Sequence, residues 1–262
     1  TLKKNGLISN DATQDTSTVA RMFSSIGSSL STLYQSITPT QVGGGSLTYI
    51  NPIRGGSFSE YLIGEEGLFF KIPDDMKYEE GALVEPLSIA LHAINTAGKI
   101  ENKDIAILGT GTNGLACLIC SKNLGVNSVL CTDINNSKGL RAKDFGCDYF
   151  INVRDHSLQE KALEYFPKCF DIVFISTSYP EVLNDAISIA KRGSKIIVIS
   201  YLNPDTKLDY NKMVRNELTI KGSALSNPDD IELIIKWISE KEIKPLPMIT
   251  NEYDLLECDK AL

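Results

Sequence analysis

The stretch that decides the fold is DIAILGTGTNGLACLICSKNLGVNSVLCTD, residues 104–133. It begins with a short apolar run, Asp104–Leu108, which is typical of a buried strand. A glycine-rich turn and a helix follow, and a second apolar run, Ser128–Thr132, predicts another strand that Asp133 closes. A GxGxxG sequence placed between a strand and a helix predicts a dinucleotide-binding α/β fold.

Each glycine of this turn has its own predicted task. Gly109 allows the tight turn, Gly111 lets a pyrophosphate approach the backbone, and Gly114 lets the helix pack close to the sheet. Free N–H groups at the helix N-terminus would then hold the phosphates. Two alternatives remain: a methyltransferase, which also uses a glycine-rich loop, and a tight turn in a sheet that has lost its ligand.

Asp133 predicts which dinucleotide is bound. It lies 19 residues after Gly114, at the end of the second predicted strand. A carboxylate at this place can accept hydrogen bonds from both hydroxyls of the adenosine ribose, and it repels a 2′-phosphate. The sequence therefore predicts NAD rather than NADP.

Composition narrows the class of protein and the kinds of partner. The chain has 262 residues, 42% of them hydrophobic, and a net charge of −7. The sequence has no basic stripe, so we do not expect a nucleic-acid partner. No apolar run reaches the roughly 18 residues of a membrane span. Most of the cysteines lie in apolar runs, so we expect free core thiols in a reducing, cytoplasmic environment rather than disulfides. The cysteines are Cys117, Cys120, Cys131, Cys147, Cys169 and Cys258.

Strands and helices alternate after Asp133, and six strands counted from Asp104 predict a doubly wound parallel Rossmann sheet. The predicted organisation has four parts. Residues 1–46 are Ser/Thr-rich, with an amphipathic helix from Val19 to Ile37 and a glycine-rich linker. Residues 47–91 are a small β-rich part that includes GLFFKI (67–72) as a strand, 92–240 are the Rossmann domain, and 241–262 form a C-terminal segment.

Several longer motifs resemble one family. GSFSEYLI, KIPDDMKYEEGALVEPLSIALHA, ILGTGTNG, VLCTDIN and FGCDYFINV occur in that order, followed by FDIVFIS and RNELTIKGS. Together they resemble the zinc-type medium-chain dehydrogenases, and EPLSIALHA resembles the branch of sorbitol, threonine and butanediol dehydrogenases. The resemblance covers about residues 56–262.

The resemblance implies a set of site residues for an NAD-dependent alcohol or polyol dehydrogenase. Glu85 would lie near the catalytic zinc or its water and is the single candidate for both a catalytic role and a metal ligand. The implied cofactor-binding residues are Gly109, Gly111, Thr112, Asn113, Gly114, Asp133, Lys138, Ser176, Ser200 and Tyr201. The implied partner is a small-molecule alcohol or polyol, and homo-oligomerisation stays open.

The first part of the chain departs from this family. Members of the branch hold a catalytic zinc with Cys, His and Glu ligands, yet residues 1–91 contain neither Cys nor His. A zinc centre needs about three protein ligands, which Glu85 alone does not supply. We therefore expect a dehydrogenase whose catalytic domain is largely missing or replaced and whose hydride transfer is impaired. The alternatives are a non-catalytic NAD-binding protein and a zinc-free reductase.

Overall fold

The computed structural model describes residues 69–254 together with Glu257 and Lys260. The predicted helix Val19–Ile37 and the first two predicted strands of residues 47–68 lie outside this range. The chain divides into two compact units, one of Thr1–Ala82 with Ile249–Leu262 and one of Leu83–Met248. The second unit carries the dinucleotide-binding motif, and the functions predicted for the four parts of the chain stay predictions.

A six-stranded parallel sheet forms the centre of the second unit, in the order β3-β2-β1-β4-β5-β6. This is the order of the doubly wound fold, which reverses direction between β1 and β4. The strands are β1 (Asp104–Leu108), β2 (Ser128–Asp133), β3 (Tyr149–Asn152), β4 (Phe170–Ile175), β5 (Ala190–Val198) and β6 (Thr219–Gly222). The predicted Rossmann sheet is thereby confirmed.

Helices connect successive strands, because parallel strands need a crossover between them. Right-handed crossovers place the helices after β1 and β2 on one face of the sheet and those after β4 and β5 on the other. The helices are α1 (Tyr78–Ala97), α2 (Thr112–Asn123), α3 (Asn136–Asp144), α4 (Leu158–Tyr165), α5 (Val182–Ile189), α6 (Tyr210–Arg215) and α7 (Pro228–Ser239).

The apolar runs of the sequence become the buried interior of this unit. In β1 the four residues Ile105–Leu108 have no exposed surface, and β4 is buried from Ile172 to Ile175. A strand covered on both faces needs apolar side chains on both sides of its pleat. This requirement explains why these strands have continuous apolar runs rather than an alternating pattern.

Two local predictions are wrong. We expected a helix from Gly81 with Pro86 in its first turn, but α1 begins at Tyr78 and Pro86 is interior to it. Buried residues around it, Leu83 and Leu87, supply packing that offsets a proline cost of roughly 3 kcal/mol. Residues 69–72 of the GLFFKI stretch do not form a strand. A strand requires a hydrogen-bonded neighbour, and none of the described strands pairs with them.

Boundaries between β4 and β6 also differ from expectation. The helix predicted for residues 180–191 is shorter, and β5 begins at Ala190 instead of Lys195. Its pairing with β4 shifts register between Phe170 and Ile172, and Gly193 adopts a φ of +76° within the irregular segment. The sequence did not predict α6, which is six residues long and has no fully buried residue.

Candidate cofactor site

The three glycines of the motif are required for different reasons. Gly109 has a φ of +94°, and a Cβ there would lie 2.9 Å from the backbone oxygen of Ser176. A Cβ on Gly114 would lie 1.9 Å from the backbone oxygen of Gly109. Close packing of β1, α2 and the end of β4 therefore excludes a side chain at both positions, which agrees with the turn and packing tasks predicted for them.

Gly111 is the exception, because in the described part of the chain no atom apart from those of its two neighbours lies within 4 Å of the position its Cβ would take. Its φ of −70° is one that every residue adopts. The protein itself therefore does not require glycine here. The open space lies at the N-terminus of α2, where a bound pyrophosphate would approach the backbone.

The first turn of α2 presents backbone donors to that space. The first intrahelical bond runs from Leu115 N to Gly111 O at 2.9 Å. The amides of Thr112 and Asn113 precede it and have no helical acceptor, as is general for the first turn of a helix. Gly111 is the N-cap residue and has no side chain to accept their hydrogen bonds. This helix end can therefore bind an anion.

Asp133 ends β2 beside the glycine-rich turn, as predicted. Its carboxylate is buried and accepts hydrogen bonds from Thr110 N at 3.0 Å, Thr110 Oγ1 at 3.2 Å and Asn135 N at 3.1 Å. Lys138 Nζ lies 3.5 Å from Asp133 Oδ2, and the lysine side chain is 43% exposed. Asp133 and Lys138 are thus together at the carboxyl edge of the sheet, next to Gly111.

The residues predicted for the nicotinamide half also lie at the carboxyl edge of the sheet. Ser176 follows β4 and donates its backbone N–H to Leu108 O at 2.8 Å. Ser200 follows β5, and its hydroxyl donates to Thr177 O at 2.6 Å. Tyr201 is mostly exposed. Ligands of doubly wound sheets bind where the strand order reverses, between β1 and β4, and Ser176 lies at that point.

Glu85 lies in α1, just before Pro86, and part of its surface is exposed to solvent. Desolvation by neighbouring protein raises the pKa of its carboxyl group above the ordinary value. The described residues contain no group of three or more His, Cys, Asp or Glu side chains that would hold a metal ion. The role predicted for Glu85 as a catalytic residue or metal ligand therefore stays a prediction.

His92, two turns after Glu85 on α1, has a structural partner. Its Nδ1 lies 2.9 Å from Oδ2 of Asp230, which is 5% exposed. Asp230 also accepts from Asn95 Nδ2 at 2.8 Å and, through the capping box of α7, from Asn227 N at 2.9 Å. This agrees with the expectation that His92 is a hydrogen-bonded helix residue.

The CxxC pair of α2 belongs to the core. Cys117 and Cys120 have no exposed surface. Burial raises the pKa of Cys117 to about 12 and that of Cys120 well above its ordinary value, so both remain thiols, which are poor nucleophiles and metal ligands. The five cysteines of the described region are all free, as predicted.

Two residues of this region were not singled out from the sequence. Thr110 is 1% exposed and binds Asp133, but its position between two glycines gave no reason to select it. Asp230 binds His92 across 138 residues of sequence. The NPDD stretch at 227–230, a helix N-cap with acids in the first turn, was the one local signal near Asp230.

Comparison with known proteins finds similar zinc-type dehydrogenases. Residues 114–240 match the zinc-binding dehydrogenases. The chain is 30% identical over 212 residues to galactitol 1-phosphate 5-dehydrogenase of Escherichia coli K12. This match covers 78% of the chain and 61% of that protein. It is 27% identical over 216 residues to sorbitol dehydrogenase of Bacillus subtilis, covering 80% of this chain and 60% of that protein.

Solved structures agree with these matches. The crystal structure of E. coli galactitol-1-phosphate dehydrogenase has a TM-score of 0.62 at 30% identity, over 68% of this chain and 54% of that one. That of 2R,3R-butanediol dehydrogenase from B. subtilis has a TM-score of 0.69 at 26% identity, over 74% and 56%. The chain is thus similar in sequence and in fold to the zinc-type medium-chain dehydrogenases, as its motifs predicted. It spans about three fifths of the curated relatives it matches.

The relatives in these comparisons are polyol and alcohol dehydrogenases by name. Within residues 69–254, none of the helices is both long enough and apolar enough to cross a bilayer.

Proposed function

We propose that this chain binds NAD(H) at the carboxyl edge of its sheet, between β1 and β4. The observation that carries the proposal is the open space at Gly111. Glycine is not required there by backbone conformation or by protein packing, whereas a pyrophosphate lying on the first turn of α2 would require it. The N–H donors of that turn suit a pyrophosphate, and the acid at the end of β2 suits the adenosine ribose.

The proposed contacts follow from these positions. The backbone of the turn from Gly109 to Gly114, with Thr112 and Asn113 in the first helical turn, would bind the pyrophosphate. Asp133 and Lys138 would bind the adenosine ribose. Ser176, Ser200 and Tyr201 would face the nicotinamide half. When bound, NAD accepts a hydride from an alcohol carbon; the groups named here bind and orient it.

The charge at Asp133 favours NAD over NADP. The carboxylate is 8% exposed and so is poorly screened by water. It would attract a ribose hydroxyl by a charge-assisted hydrogen bond, and it would repel the charge of a 2′-phosphate at the same place. Lys138 reduces this repulsion only in part, because its side chain is 43% exposed and its Nζ lies 3.5 Å from Oδ2.

Replacement of Asp133 by Ala should relax this preference. We expect the ratio of NADPH to NADH dissociation constants to fall by a factor equivalent to about 1–3 kcal/mol, the range of hydrogen bonds to a charged group. Calorimetric titration of both nucleotides into the parent and the variant measures the ratio. Asp205→Ala, which removes an acid from an exposed loop, is the control. Equal affinity of the parent for NADH and NADPH would contradict the proposal.

The reaction class comes from the relatives. Galactitol 1-phosphate 5-dehydrogenase and sorbitol dehydrogenase act, by their names, on polyols. We propose that the family reaction of this chain is hydride transfer between a secondary alcohol or polyol and NAD. A cytoplasmic location and homo-oligomerisation remain predictions.

The donor set for zinc supports an impaired form of this activity. Residues 1–91 contain neither Cys nor His, and His92, the nearest imidazole to Glu85 in sequence, is hydrogen-bonded to Asp230. The remaining donors near Glu85 in sequence are carboxylates and hydroxyls, whereas zinc sites of this kind use thiolate and imidazole ligands. These donors therefore do not fit a catalytic zinc of this kind.

This chain should show no useful oxidation of alcohols. An alcohol has a pKa far above 7, and the family lowers it by coordinating the oxygen to a metal. We expect no NADH formation above background with a panel of polyols and secondary alcohols in the presence of added zinc. A turnover number near the roughly 10 per second typical of enzymes would contradict this expectation, and Glu85→Gln and His92→Asn would then be the first variants to compare.

The second candidate is a non-catalytic NAD-binding protein. The same lack of thiolate and imidazole donors in residues 1–91 favours it. It predicts NADH binding without bound metal, whereas an impaired dehydrogenase predicts metal bound in proportion to residual activity. Metal analysis of the purified chain, done on the preparation used for the alcohol assay, separates the two.

A further inference from the structure

Asp133 is surrounded by donors from its own chain. Thr110 donates twice to Oδ2, through its backbone N–H at 3.0 Å and its hydroxyl at 3.2 Å. Asn135 donates its backbone N–H to Oδ1 at 3.1 Å. Thr110 and Asp133 are 1% and 8% exposed, so these bonds are largely shielded from competing water.

These bonds limit what the carboxylate can still accept. An ionised carboxylate offers about four acceptor positions, two on each oxygen. The two donors of Thr110 occupy both positions on Oδ2, and Lys138 Nζ lies 3.5 Å from the same oxygen. Asn135 occupies one position on Oδ1. One acceptor position, on Oδ1, remains for a ligand.

We propose that Thr110 sets the strength with which Asp133 selects the cofactor. Its hydroxyl occupies the second acceptor position on Oδ2, so that Asp133 accepts one ribose hydroxyl rather than two. This inference rests on the proposed binding of NAD(H) at this edge of the sheet. It makes the residue between the first two glycines of the motif a determinant of specificity, acting through the acid that follows β2.

The hydroxyl is not needed to orient the carboxylate. The backbone N–H of Thr110 binds one carboxylate oxygen and the backbone N–H of Asn135 binds the other. Backbone donors in two different segments therefore fix the plane of the group. What the hydroxyl adds is competition for an acceptor position, together with a hydrogen bond that partly offsets the negative charge of Asp133.

The test compares Thr110→Ala with Thr110→Ser. Alanine removes the hydroxyl and the γ-methyl group and so opens the acceptor position on Oδ2, whereas serine keeps the hydroxyl. We expect Thr110→Ala to bind NADH about threefold to tenfold more tightly, the range of one additional hydrogen bond, and to raise the ratio of NADPH to NADH dissociation constants. Thr110→Ser should resemble the parent. Fluorescence titration with each nucleotide gives all the constants without an activity assay.

A double-mutant cycle separates this role from a purely structural one. On an Asp133→Ala background, Thr110→Ala should leave both dissociation constants unchanged, because the acceptor it would free is absent. Thermal unfolding without ligand shows that each variant is folded. If Thr110→Ala does not unfold cooperatively, Thr110→Gly replaces it with the same expected direction.

Two results would overturn the inference. One is an unchanged or weaker affinity of folded Thr110→Ala for NADH, and the other is an effect of equal size on the Asp133→Ala background. A parent chain that binds neither nucleotide contradicts the proposed function, and the inference falls with it. A parent that binds NADH while Thr110→Ala changes nothing contradicts the inference alone.

Discussion

Gly111→Val is expected to abolish NADH binding while the thermal unfolding midpoint stays close to that of the parent. The Cβ of the added side chain would have none of the described residues within 4 Å other than its chain neighbours, and the backbone φ of −70° suits any residue. We therefore expect the fold to stay unchanged. Pyrophosphate binding should be lost, because the pyrophosphate needs the same space to reach the first-turn amides of α2.

Thermal unfolding with and without NADH measures both effects at once. A ligand that binds only the folded state raises the midpoint in proportion to its concentration relative to its dissociation constant. The parent should gain stability from NADH, and Gly111→Val should gain none. If the variant is stabilised by NADH as much as the parent, the phosphates bind elsewhere on the chain.

Gly114→Ala should have the opposite profile and destabilise the fold itself. Its Cβ would lie 1.9 Å from the backbone oxygen of Gly109 and 2.9 Å from the carbonyl carbon. Neither atom is on a flexible side chain, so β1 and α2 would have to separate. Overpacking typically costs about 1–3 kcal/mol and occasionally more, and denaturant unfolding should show a loss at the upper end of this range.

Gly222→Ala is the matched control for this substitution. Gly222 lies in β6, and none of the described residues other than its chain neighbours lies within 4 Å of the position its Cβ would take. The Gly222→Ala variant should therefore unfold at nearly the denaturant concentration of the parent. Stability of Gly114→Ala equal to that of Gly222→Ala would show that α2 does not pack on β1 as closely as described.

Patterns confined to short stretches predicted the sheet correctly. The runs at Asp104–Leu108 and Ser128–Asp133 are apolar because their strands are covered on both faces. Gly109 and Gly114 were assigned their tasks from spacing alone, since the turn geometry of this fold is the same wherever it occurs. A parallel sheet with regular crossovers then left few topologies to choose from.

Features that depend on distant residues were not predicted. Pro86 is tolerated inside α1 because its neighbours are buried, and burial is decided by tertiary packing. The bond between His92 and Asp230 joins residues 138 positions apart. Thr110 is informative only once Asp133 is seen beside it, because the two are 23 positions apart in sequence. Each of these contacts is a property of the assembled fold.

Calorimetric titration of the parent chain with NADH and NADPH is the decisive experiment for cofactor binding at the carboxyl edge of the sheet. We expect saturable NADH binding, weaker NADPH binding, and no heat from S-adenosylmethionine, the ligand of the rival class with a similar glycine-rich loop. Gly111→Val should give no heat with either nucleotide. Absence of NADH binding to the folded parent, or binding of S-adenosylmethionine in its place, would show that this is not an NAD(H) site.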